Sequence, residues 1–262
     1  DDPKNYGFIE NIENLNPKPI IKPFPKEEVE NEIIFNSSTL VEKRQQLSLY
    51  VGGGSKIVTF TEDRVKACSA GFYVKKYDED YVATAGHCAR DMTPSPMFYL
   101  INKNYLIGPM EDYVFEQNDL GFISKEAEKI MLKPILRNKH HMESTQYLLY
   151  FIVDSLDITS CGIHVCKSGY VTGFTCGEVL AISTAYKFDS RKIVDNAITV
   201  HLTGNAGDSG GSLYRYHDGD NPSLFVDAVG LYIGGTSSVG AAEPIYKIYD
   251  FGYDLVTTLD LD

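Results

Sequence analysis

No run of 18 or more apolar residues occurs in the 262 residues, which argues against a membrane-spanning helix. Basic side chains are also scarce. Twenty-four Lys and Arg stand against 36 Asp and Glu, for a formal net charge of −12. Nucleic-acid affinity comes largely from basic phosphate contacts, so no nucleic-acid partner is expected. The acidic balance favours solubility and says little about chemistry. The five cysteines (Cys68, Cys88, Cys161, Cys166 and Cys176) contain no Cys-x-x-Cys pair, so their spacing does not support a zinc site and no metal is expected. Nor does the opening Asp1-Asp2-Pro3-Lys4-Asn5-Tyr6-Gly7 show the charged and then apolar pattern of a signal peptide. A signal removed ahead of Asp1 is compatible with that.

With 43% hydrophobic residues the chain can build a substantial core. Residues 1–46 differ from the rest: they are rich in proline and charge, with the run Lys26-Glu27-Glu28-Val29-Glu30, and read as an extended tail or pro-segment. Lys43-Arg44 near its end reads equally well as a processing site or as two solvated charges. Asn36-Ser37-Ser38 is a glycosylation sequon, meaningful only on the secretory route.

From Leu47 onward, short runs rich in β-branched and aromatic residues alternate with Gly, Asn and Asp. Examples are 56–60, 70–74, 81–84, 98–101, 147–153, 177–182, 197–202 and 225–229. This is the texture of an all-β sandwich or barrel. Helical spacing is convincing in two places. Residues 125–132 suit a short helix or turn, and 248–261 suit a C-terminal helix.

Two stretches carry chemistry. Thr84-Ala85-Gly86-His87-Cys88 presents a histidine after a strand-like run, and Gly207-Asp208-Ser209-Gly210-Gly211 puts a serine in a glycine-rich turn. A serine nucleophile needs a base for its proton, and imidazole titrates in the useful range. It also needs backbone N–H groups around the developing oxyanion, where glycine lets the substrate come close. His140, His141, His164, His201 and His217 lack such a context and read as surface or packing residues.

These motifs resemble those of the chymotrypsin-like serine proteases, whose triad runs His, Asp, Ser along the chain. The likeness is closer to the α-lytic protease and streptogrisin branch. It extends through Cys68-Ser69-Ala70-Gly71-Phe72, Val165-Cys166-Lys167-Ser168-Gly169, Thr172-Gly173-Phe174-Thr175-Cys176-Gly177 and Ser209-Gly210-Gly211-Ser212-Leu213-Tyr214, covering roughly residues 47–255. Asn118-Asp119 followed by Leu120-Gly121-Phe122-Ile123 resembles the family's acid, with Asp91 and Asp112 as poorer candidates. The resemblance implies two packed six-stranded antiparallel β-barrels and a short C-terminal helix. Residues 47–140 would form the first barrel, with His87 and Asp119. Residues 141–262 would form the second, with Ser209 and the helix.

It further implies catalysis by His87, Asp119 and Ser209, with the N–H groups of Gly207 and Ser209 as the oxyanion hole. Cys68 should pair with Cys88 and Cys166 with Cys176, leaving Cys161 as a buried free thiol. Thr203, Gly204, Asn205, Ala206, Ile233, Gly234 and Gly235 should line the substrate pocket, near the small residues Ala241 and Ala242. Lacking a carboxylate there, the pocket should favour an apolar or aromatic residue before the cut bond, unless Glu243 points inward.

Three departures stand out. A third disulfide beside the pocket is missing, Ile233 replaces a serine that would bond the catalytic aspartate, and Lys167 stands where the branch carries an arginine. Lys167 either pairs with Asp208 in a structural ion pair or is solvated. The expected function is a secreted, monomeric serine endopeptidase without cofactor, held as a zymogen, away from membranes. Its partners would be peptide or protein substrates and a protein inhibitor. The alternative is a catalytically silent homologue acting as a secreted binding module.

Overall fold

The computed structural model describes residues 50–92, 95–138, 149–187, 193–218 and 224–261. The 1–46 segment, with Lys43-Arg44 and the Asn36 sequon, lies outside them, as do His140 and His141. Eight strands come first: β1 (Tyr50–Gly53), β2 (Lys56–Phe60), β3 (Val65–Ser69), β4 (Phe72–Lys76), β5 (Glu79–Thr84), β6 (Met97–Leu100), β7 (Leu106–Val114) and β8 (Leu120–Ser124). There follow β9 (Met131–Arg137), β10 (Leu149–Ser155), β11 (His164–Gly169), β12 (Gly173–Lys187), β13 (Ile193–His201), β14 (Ser212–Tyr216), β15 (Phe225–Gly235) and β16 (Gly240–Pro244). A five-residue helix α1 (Tyr246–Asp250), strand β17 (Asp254–Leu255) and a 3-10 turn (Thr258–Leu261) close the described chain.

The strands form two sheets. One has eight, in the order β17-β4-β5-β8-β7-β6-β2-β3; the other has nine, in the order β1-β9-β10-β15-β14-β11-β12-β13-β16. In the second, β16 pairs back onto β15, so six strands, β11 to β16, close on themselves. The first sheet exceeds the expected six by two strands, one of them the terminal β17, which adds to β4. The second exceeds it because β1, β9 and β10 extend it. Two pairs are parallel, β1 with β9 and β10 with β15, where an all-antiparallel arrangement was expected.

Local chemistry explains the elements. Ile57, Val58 and Thr59 of β2 are all buried, so that strand reads as a continuous apolar run without alternation. Lys76 pairs with Glu79 across a two-residue turn in which Tyr77 and Asp78 both have positive φ, the geometry that matches strand twist in a tight hairpin. Residues 125–130 form a turn rather than a helix, between β8 and β9. The C-terminal helix starts earlier and ends sooner than expected. Gly252, at φ +77°, turns the chain out of α1, and Asp254 and Leu255 then pair with Lys75 and Val74.

Buried side chains of both sheets cluster together. Phe72, Leu120 and Phe122 of the first pack with Tyr150, Tyr214, Leu231, Ile248 and Tyr253 from the second half of the chain. Phe122 stacks on Tyr253 with ring centroids 3.6 Å apart. Among the described residues no helix is long and apolar enough to cross a membrane.

Candidate active site

Strand β5 delivers its last residue, Thr84, to a 3-10 turn at Gly86–Ala89, which carries His87. Gly86 is required by close approach: a Cβ there would lie 2.0 Å from the Val114 carbonyl oxygen and 2.5 Å from that of Leu120. A disulfide from Cys68 on β3 to Cys88 fastens the turn. Asp119 immediately precedes β8 and is fully buried. Its Oδ1 accepts the His87 backbone N–H at 2.8 Å, and its Oδ2 lies 2.7 Å from His87 Nδ1. With Nδ1–H donating to the carboxylate, Nε2 carries the lone pair that can accept a proton. The imidazole is partly exposed.

Ser209 sits in a turn whose flanking glycines, Gly207 and Gly210, have φ of +99° and +84°. A Cβ on Gly210 would stand 1.9 Å from Thr84 Oγ1 and 2.8 Å from Ala85 N, so the serine turn lies directly against the segment leading to His87. Ser69, buried at the end of β3, ties the two together. Its N–H donates to the Ser209 carbonyl at 2.8 Å and its Oγ–H to the Gly207 carbonyl at 2.8 Å. Both carbonyls are thereby drawn to the Ser69 side. Among the described residues, neither the Gly207 nor the Ser209 N–H donates to another backbone group.

Asp208, between them, is fully buried and faces inward. Oδ1 accepts the N–H groups of Val171 and Thr172 at 2.8 and 3.1 Å. Oδ2 accepts the Asn205 N–H at 3.0 Å and the Thr172 hydroxyl at 2.6 Å, and lies 3.0 Å from Lys167 Nζ. Burial pushes the Lys167 ammonium below its ordinary range, while Asp208 pulls it back up. The second disulfide, Cys166–Cys176, spans a facing pair of β11 and β12 beside that lysine.

Of the residues expected around the pocket, Ile233 is buried, and Gly234 and Gly235 on β15 pair with Ala241 and Gly240. Thr203 accepts a hydrogen bond from the Thr175 hydroxyl, and the Asn205 side chain accepts one from the Ala206 N–H. The Tyr232 ring lies beneath Gly204: a Cβ on that glycine would fall 2.0 Å from the tyrosine oxygen, and one on Gly240 would be 2.5 Å from the ring. Glu243 is fully buried and committed elsewhere, to the Asp119 N–H and to Lys247. Cys161 is exposed, not buried, because it lies in a turn between β10 and β11. His164 and His201 are exposed, and His217 pairs with Asp227 at 2.6 Å.

Ser69 and Thr172 lie within the motifs but show no task in the sequence, and the roles of Tyr232 and Lys247 are not legible there. The four-residue spacing of Glu243 and Lys247 was the one available signal for the last.

No family model matches the chain. Two curated relatives from Streptomyces griseus are similar in sequence. Streptogrisin-D is 30% identical over 64% of this chain and 38% of its own length, and streptogrisin-A is 26% identical over 71% and 56%. The chain thus spans between about a third and three-fifths of those two proteins. Among solved structures, protease A of Thermobifida fusca superposes with a TM-score of 0.61 at 22% identity, covering 79% of this chain and 99% of that one.

The chain has the chymotrypsin-like serine protease fold, and its sequence is similar to those of the streptogrisins. Within that protease fold, His87 and Asp119 come from the first sheet and Ser209 from the second, so the site sits where the two meet.

Proposed function

We propose that the chain is a secreted serine endopeptidase, cleaving peptide bonds through an acyl-enzyme on Ser209. The observation that carries the reading is the His87–Asp119 pair, with the segment leading to His87 packed at Thr84 and Ala85 against Gly210 of the Ser209 turn. Ser209 Oγ attacks the carbonyl carbon as its proton passes to His87 Nε2. The oxyanion is met by the N–H groups of Gly207 and Ser209, which carry no other backbone bond among the described residues. Collapse of the intermediate breaks the C–N bond, and His87 returns the proton to the leaving amine. Water then repeats the sequence to release the acid. Asp119 keeps His87 in the required tautomer and stabilises the imidazolium without taking its proton. The Lys167–Asp208 pair supports the turn from below. Two disulfides fit an oxidising, extracellular setting.

Tyr232 refines the specificity reading. Its ring fills the space under Gly204, and Glu243 is engaged elsewhere. The residue before the cut bond is therefore small and apolar, rather than aromatic.

Ile233, in place of a hydroxyl donor to the acid, is the observation favouring the silent-homologue reading. Hydrolysis of an unfolded protein substrate separates the two. The protease reading expects turnover that Ser209→Ala lowers by about 10⁶-fold, the scale known for losing a triad serine in subtilisin. Equal rates for parent and variant would overturn it.

A further inference from the structure

Glu243 has no part in the chemistry above, yet its carboxylate is fully buried against the backbone of Asp119. Oε1 accepts the Asp119 N–H at 2.5 Å, and Oε2 accepts from Lys247 Nζ at 2.6 Å. Lys247 Nζ also donates to the Asp195 carbonyl at 2.5 Å. The Asp195 N–H in turn donates to the Gln117 carbonyl at 2.9 Å, two residues before Asp119. The bonds close a ring: Asp119, Glu243, Lys247, Asp195, Gln117 and back along the chain. Glu243 lies on β16, Lys247 on α1 and Asp195 on β13, whereas Asp119 immediately precedes β8 of the other sheet.

We propose that Glu243 and Lys247 are positioning residues, a buried ion pair by which the second half of the chain clamps the loop carrying Asp119 and so fixes the His87 ring. The inference rests on the reading of His87 as the base. Two features point to more than packing. An N–H in this position needs only a neutral acceptor, and a carboxylate there adds a second negative charge close to Asp119. That charge costs desolvation, which pushes the Glu243 carboxyl up, while Lys247 and the Asp119 N–H pull it down. Ionised, it adds to the field that favours imidazolium at His87, and Lys247 opposes it from one carboxylate further away. Other charged or titratable groups described around this system come from β3, from the turn after His87 and from α1. Lys66 on β3 donates to the His87 carbonyl at 2.8 Å, Arg90 and Asp91 pair beyond the same turn, and Tyr246 on α1 feels Glu243.

The test is the imidazole titration of His87, followed by NMR in the parent, Glu243→Gln and the double variant Glu243→Gln/Lys247→Met. This readout needs no turnover. Glu243→Gln keeps an acceptor for the Asp119 N–H but leaves the Lys247 charge uncompensated. His87 should then titrate at lower pH, by on the order of half a unit. The double variant, neutral throughout, should return most of that shift. In parallel, Glu243→Ala, which removes the acceptor, should lower kcat more than Glu243→Gln does, with KM little changed. A Glu243→Gln titration superimposed on the parent's would overturn the proposal, and should Glu243→Ala not fold, the titrations of the two near-isosteric variants still decide it. Labelling of the parent by a fluorophosphonate tests the protease reading separately. A parent that is not labelled, but whose His87 shifts as described, refutes that reading and leaves the clamp standing.

Discussion

Lys167 is fully buried, and among the described residues its ammonium meets Asp208, the Thr172 hydroxyl and, 5.4 Å away, the Tyr232 ring. Lys167→Met would leave the Asp208 carboxylate buried without its cation, at a cost of about 3–5 kcal/mol. Chemical denaturation of parent and variant measures this, and activity should fall with stability because Gly207 and Ser209 flank Asp208. Equal midpoints and rates would show that Thr172 and the backbone N–H groups suffice for Asp208. Tyr232 makes a prediction of a different kind, since it touches no reacting atom. Tyr232→Ala should shift cleavage in a peptide library toward large apolar and aromatic residues before the scissile bond. A profile identical to the parent's would mean that the space under Gly204 is not the specificity pocket.

The elements that hold the site are short and crosslinked. Cys166–Cys176 closes a segment of ten residues' separation around Lys167, Thr172 and their contacts with Asp208. Replacing both cysteines by alanine should cost about 2–3 kcal/mol from the freed loop entropy, seen as a lower melting temperature. An unchanged melting temperature would mean that strand pairing alone fixes this hairpin. Strands with a plain pattern were legible in sequence: β2 appears with the bounds read for it, and β5, β6 and β10 within two residues at either end. Those carrying a breaker were not. β7 contains Pro109 and β9 contains Pro134, residues that sequence patterns count against a strand. The C-terminal helix was overdrawn because its apolar spacing continues past Gly252. The chain there exchanges helix for a two-residue pairing with β4, which only tertiary contact can decide.

At the scale of the molecule, the site depends on how two sheets meet. Tyr253 fills that junction, stacked on Phe122 and hydrogen-bonded to Asp112 at 2.9 Å. Tyr253→Ala should cost about 3–5 kcal/mol, as for other large aromatic truncations in a core, again read by denaturation. The residues legible in sequence, His87, Asp119 and Ser209, announce themselves through contiguous motifs around each one. Ser69 reaches Gly207 across 138 residues and Glu243 reaches Asp119 across 124, and such pairings exist only once the sheets have docked. We propose that docking of the sheets turns His87, Asp119 and Ser209 into one reactive group. Intact-mass analysis after exposure to a fluorophosphonate, with peptide mapping of the adduct, tests this most directly. A single adduct on Ser209 is expected, absent in Ser209→Ala and strongly slowed in His87→Ala. A parent left unmodified, or an adduct on any other residue, would contradict it.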